Sequence, residues 1–95
     1  MMKKMRKNPA ISLDELRLKI DLIDDKLVRL LNKRAESAYM IGRKKAYAGI
    51  PVHDPKREKK VLQRVGKMNK GPLSAKAING IYRKVISACL EVQDE

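Results

Sequence analysis

The chain has 95 residues and a formal net charge of +12, with no Phe or Trp, one cysteine and one histidine. This length allows one domain with a small core built from Leu, Ile, Val, Ala and Met; the lone Cys89 excludes an intrachain disulfide, and a single His53 argues against a His/Cys metal cluster. The charge by itself points to polyanions such as nucleic acid, but much of it sits in the N-terminal arm and on scattered lysines (Lys59, Lys60, Lys67, Lys70, Lys76), where it serves solubility.

In chain order, residues 1–11 carry Lys3, Lys4, Arg6 and Lys7 with no apolar segment behind them. They are neither a signal peptide nor a membrane anchor, and read as a disordered basic arm ahead of one helical domain over 12–95. From Ser12 to about Tyr47 nothing stops a helix: Pro is absent, and no Gly occurs before Gly42. Ser12 and Glu15 form a capping box at its start. Apolar residues recur in steps of three and four at Leu13, Leu16, Ile20, Ile23, Leu27 and Leu30, and the seam continues through Ser37 and Ile41. At about 1.5 Å per residue the rod spans roughly 52 Å, whereas a globule of this size is about 30 Å across. The seam therefore calls for a second chain, and an all-α, intertwined homodimer with antiparallel long helices is expected. A break near Gly42 would give a simple three-helix bundle instead.

Gly49 and Pro51 mark a connector. Asp54 followed by Pro55 opens a second helix as N-cap and first helical residue, with an apolar stripe of Val61, Leu62 and Val65 and an end near Lys70, before Gly71 and Pro72. A third helix starts at Pro72 or Ser74 and presents Ile78, Ile81, Tyr82, Val85, Ile86, Cys89 and Val92 on one face.

Polar side chains interrupt these apolar stripes. Counting along the first seam lands on Arg34 and then Lys45, which lie about three turns apart and so point the same way. Arg17 flanks the seam near its start. On the second helix, Asp54, Arg57 and Glu58 occupy the stripe one turn ahead of Val61, and Gln93 continues the face of Tyr82, Ile86 and Cys89. Burying unpaired cations is costly, on the order of several kcal/mol each, so an anionic ligand is expected to meet them. For antiparallel rods crossing near Leu31, Arg17 of one chain comes opposite Lys45 of the other. The plainer alternative is that Arg34, Glu36, Asp24 and Asp25 form interhelical ion pairs that set register.

The string Leu16-Arg17-x-x-Ile20-Asp21-x-x-Asp24-x-x-Leu27-x-x-Leu30-Leu31-x-x-Arg34, then Ile41-Gly42-x-x-Lys45, Val52-x-Asp54-x-x-Arg57-Glu58 and Ile86-Ser87-x-Cys89-x-x-x-Gln93 closely resembles the all-helical (type II) chorismate mutases. The resemblance implies an intertwined three-helix dimer with no cofactor. It also implies the rearrangement of chorismate to prephenate on the route to phenylalanine and tyrosine. Carried onto this sequence, it implies that Arg34, Arg57 and Lys45, with the partner's Arg17, bind the two substrate carboxylates. By the same resemblance, Lys45 and Gln93 are expected to reach the ether oxygen, and Glu58, beside the Asp54 turn, to hold the ring hydroxyl. Cys89 stands where relatives often have Ser, and a thiol is the weaker donor. A pericyclic reaction needs no nucleophile, metal or proton shuttle, in keeping with this residue inventory. Isochorismate pyruvate lyase, on the same fold, is the near alternative, although Arg57-Glu58 and Gln93 fit the mutase better. A basic nucleic-acid-binding dimer is remote, since aromatic stacking residues and a Gly-rich clamp are missing. A purely structural dimerisation module is the third option. Cysteine usage fits a reducing compartment, the cytoplasm, and no membrane partner is expected.

Overall fold

Ser12 caps the first helix in the manner its sequence calls for: its Oγ accepts from the Glu15 amide at 3.1 Å, and Glu15 Oε1 accepts from the Ser12 amide at 3.4 Å. From that box α1 runs unbroken over Leu13–Ala48. The computed structural model describes residues 10–94, so nearly all of the basic arm expected over 1–11 lies outside the described residues. Two further helices follow, α2 (Pro55–Met68) and α3 (Ala75–Gln93), and no strand occurs among the described residues. The fold is all-α.

Each helix end has a local cause. Gly49 takes the left-handed conformation (φ 68°) that ends α1, and the Ile50 amide turns back to the Lys45 carbonyl at 2.8 Å. Asp54 caps α2 with Pro55 at its first position, and Ser74 caps α3 by accepting from the Ala77 amide at 3.0 Å. The far end of α2 differs from expectation. The helix stops at Met68 rather than near Lys70, because Asn69 leaves helical geometry and bonds the loop instead. Its Oδ1 accepts from the Gly71 amide and its Nδ2 donates to the Leu73 carbonyl, the side-chain competition that makes Asn a turn residue.

The helix α3 packs against both α1 and α2, which do not pack on each other directly. A small core joins Val61 and Val65 to Ile86, flanked by Leu62, Ile78, Tyr82 and Leu90. Ala38 of α1 and Cys89 of α3 are buried beside it. Gly42 does not break α1: it is buried against the end of α3, and the helix passes through it. Ile81, expected on the core face, is about half exposed and lies outside the Val61, Val65 and Ile86 cluster.

The first half of α1 is left uncovered by the other described residues. Leu13, Leu16, Ile20, Ile23, Leu27 and Leu30 keep between 43% and 62% of their surface in contact with solvent. The chain measures 58 × 24 × 14 Å with a radius of gyration of 17.3 Å, against roughly 12 Å for a compact chain of this length. Since burying one such side chain fully contributes about 1.5–3 kcal/mol, the bare seam is a large unrealised source of stability.

Candidate active site

The second half of α1 and the start of α2 face each other across a cavity of about 390 Å³ closed on its third side by α3. Arg34 and Lys45 reach it from α1, Asp54, Arg57 and Glu58 from the α2 entry, and Cys89 and Gln93 from α3. The apolar walls are Ala38, Ile41, Val52, Val61, Ile86 and Leu90.

Lys45 is the best-fixed cation. The turn at Gly49 brings Val52 back alongside the last turns of α1, and Lys45 Nζ donates to the Val52 carbonyl at 2.7 Å. A second bond from Nζ goes to Gln93 Oε1 at 3.2 Å. This bond has a directional consequence. With its oxygen engaged by Lys45, the Gln93 amide keeps its NH2 group for another acceptor. Gln93 gets there because Gly42 has no side chain: a Cβ on Gly42 would lie 2.5 Å from the Gln93 carbonyl oxygen and 2.9 Å from its Cα. Only glycine allows the end of α3 so close.

Arg57 and Glu58 are placed by the α2 cap. Asp54 Oδ1 accepts from the Arg57 amide at 3.1 Å, and the Asp54 carbonyl accepts from the Glu58 amide at 3.1 Å. Asp54→Ala is therefore expected to cost about 1 kcal/mol of stability, whereas Asp54→Ser keeps a capping oxygen and stays close to wild type. Thermal denaturation checks this as a drop of roughly 4–8 °C for Ala alone.

The electrostatics are lopsided. Four cations, Arg34, Lys45, Arg57 and Arg64, line the cavity against two carboxylates, Asp54 and Glu58. The ion pairs among the described residues are Arg17–Asp14 and His53–Glu58, so none of the four cations is neutralised by a neighbour. Among the described residues of the single chain, Arg34 pairs with none of Glu36, Asp24 and Asp25. A dianion with carboxylates in guanidinium reach complements this surface.

Arg17 stands apart. It lies about 25 Å up the helix axis from Arg34, and its exposed guanidinium meets only Asp14, at 3.9 Å, among the described residues. Its own chain does not bring it to the cavity.

A family model of chorismate mutase type II matches residues 16–94. The chain belongs to the type II chorismate mutases. The bifunctional chorismate mutase/prephenate dehydratase of Aquifex aeolicus is 42% identical over 85 residues, which are 85% of this chain and 24% of that protein. The chain thus spans about a quarter of the length of that relative. Among solved structures, chorismate mutase (form II) of Thermus thermophilus superimposes with a TM-score of 0.86 at 29% identity, covering 87% of this chain and 94% of that one. Chorismate mutase of Helicobacter pylori in complex with prephenate gives a TM-score of 0.79 at 33% identity, with coverages of 86% and 89%. The resemblance read from the sequence and the all-helical fold are both borne out.

Three features that shape the cavity of this chorismate mutase family member carry weak signals or none in the sequence. Arg64 had a signal, since it follows Arg57 by seven residues, about two turns, and so shares its face. The Val52 carbonyl had none, because a backbone acceptor leaves no mark in a side-chain pattern. Gly42 stood inside the matched string, but its close approach depends on which helix end lies over it. Among the described residues no helix is long and apolar enough to cross a membrane.

Proposed function

We propose that the chain catalyses the rearrangement of chorismate to prephenate as an intertwined homodimer in the cytoplasm, and that residues 12–95 are its catalytic domain. The observation that carries this reading is the Lys45–Gln93 pair: an ammonium anchored by two acceptors and an amide NH2 left over, both at a cavity with an excess of guanidinium groups.

The chemistry asks for little else. The ether C–O bond breaks as a C–C bond forms in the same molecule, with no proton or electron entering or leaving. The barrier lies in holding a folded conformation in which two carboxylates are drawn close, and in stabilising charge on the departing ether oxygen. Arg34 and Arg57, with Arg17 of the partner subunit, clamp the carboxylates, and such orientation is worth up to about 7–11 kcal/mol. Lys45 Nζ and the Gln93 NH2 donate to the ether oxygen, each such donor being worth about 3–4 kcal/mol. Glu58 accepts from the ring hydroxyl. Cys89 contributes a small wall and a weak donor.

The dimer is supported by the bare apolar seam of α1 and by the placement of Arg17 at its far end. The single buried, unpaired Cys89 is in keeping with a reducing compartment. Loss of chorismate absorbance on mixing with purified protein, with prephenate identified as product, is the expected result. Faster pyruvate release from isochorismate than chorismate turnover would replace this reading with the lyase.

A further inference from the structure

A second hollow of about 220 Å³ shares Ile86 and Leu90 with the main cavity and is lined further by His53, Leu62, Arg83 and Ser87. Glu58 borders both spaces. Its Oε2 is buried and receives no aligned hydrogen bond among the described residues, an expensive condition for a carboxylate oxygen. Yet His53 Nε2 lies 3.1 Å from that atom. That separation is within hydrogen-bond reach of an imidazole N–H. Among the described residues, no other basic side chain pairs with the orphaned oxygen.

We infer that His53 is a positioning residue for Glu58: it holds Oε2 from behind, so that the other oxygen faces the cavity as acceptor for the substrate's hydroxyl. This rests on the mutase reading for the identity of that hydroxyl, but the contact itself is a matter of this chain's geometry. The side chain of His53 is two-thirds exposed, at 67%, and that of Glu58 is 31% exposed, so solvent competes with the contact and the effect is moderate. His53 sits on the connector, one residue after the Val52 carbonyl that anchors Lys45. The same short segment therefore touches both Lys45 and Glu58.

The test uses steady-state kinetics of the full chain with chorismate. His53→Ala and His53→Phe are expected to raise KM about five- to tenfold with kcat changed less than about twofold, as for an interaction shared by ground and transition states. His53→Gln places an amide nitrogen near the position of Nε2 and is expected to restore KM to within about twofold of wild type. In a Glu58→Gln background, His53→Ala is expected to change KM less than about twofold, because the two side chains act through one contact. An unchanged KM in His53→Ala, no rescue by Gln, or a KM rise of the same size in both backgrounds overturns the inference. A second readout needs no activity: the ring-proton NMR signals of His53, the one histidine in the chain, are expected to move on Glu58→Gln, and their staying in place also overturns it. If the wild-type protein fails to turn over chorismate, the mutase reading falls alone and the NMR comparison still decides the His53–Glu58 contact.

Discussion

Replacing Lys45 with Ala is expected to lower chorismate turnover by about a hundredfold or more, with all three helices still folded. Two features make this the most damaging single change in the cavity. The ammonium is tethered at 2.7 Å to the Val52 carbonyl and at 3.2 Å to Gln93 Oε1, so in the proposed reaction it is already in place when charge develops on the ether oxygen. It also holds the Gln93 amide oxygen, so on the proposed reading its loss loosens the second donor as well. The structural cost is small by comparison. Lys45 lies in the last turn of α1, half-buried, and Ala is the better helix former there by roughly a few tenths of a kcal/mol. Chorismate kinetics beside circular dichroism separate the two effects. A near-normal rate in a folded Lys45→Ala protein removes Lys45 from the chemistry.

Gly42→Ala is the second large effect, and it acts without touching the substrate. The new methyl would sit 2.5 Å from the Gln93 carbonyl oxygen, 2.9 Å from its Cα and 3.1 Å from its carbonyl carbon. All three are backbone atoms, so no side chain can swing aside and the end of α3 must lift off α1. Overpacking of this kind costs about 1–3 kcal/mol, while the gain in helix propensity from Gly to Ala returns about 1 kcal/mol. Because Gln93 is the last residue of α3, fraying relieves part of the clash, and the net loss of stability is small. Activity has no such relief, since a displacement of about 1 Å at a catalytic donor can cost on the order of a hundredfold. A fall in kcat of about ten- to a hundredfold with a melting temperature within a few degrees of wild type is the expected result. An active Gly42→Ala protein would show that Gln93 needs no close seat against α1.

Much of this architecture was legible from the residues. The capping box at Ser12 and Glu15, the uninterrupted seam behind it and the Asp54-Pro55 start of α2 are local signals, each strong enough to set a helix boundary without help from packing. Arg34 and Lys45 were found because polar residues on an apolar stripe break a period, and the cavity explains why that period is broken there. Arg57, Glu58 and Gln93 likewise stand on apolar faces and match the family spacing across three helices, and the fold brings all of them around one space. What stayed hidden depends on tertiary geometry or on the backbone. The end of α2 moved because the Asn69 side chain bonded the loop before Gly71 could cap the helix. Ile81 follows the apolar period of α3, but the core that forms takes Ile78, Tyr82 and Ile86 from that helix and leaves Ile81 half exposed. His53 lies on a connector with no period, and its contact with Glu58 exists only once the turn at Gly49 has folded the connector back.

In the proposed dimer each catalytic site takes cations from two chains, and mixed dimers test this most directly. Arg17→Ala and Lys45→Ala homodimers should each be nearly inactive. Co-expressed and reassorted at random, half of the dimers are mixed, and each mixed dimer carries one site with both cations intact and one with neither. The expected result is recovery of about a quarter of wild-type chorismate mutase activity. Activity no higher than the average of the two parents would contradict a site shared between chains.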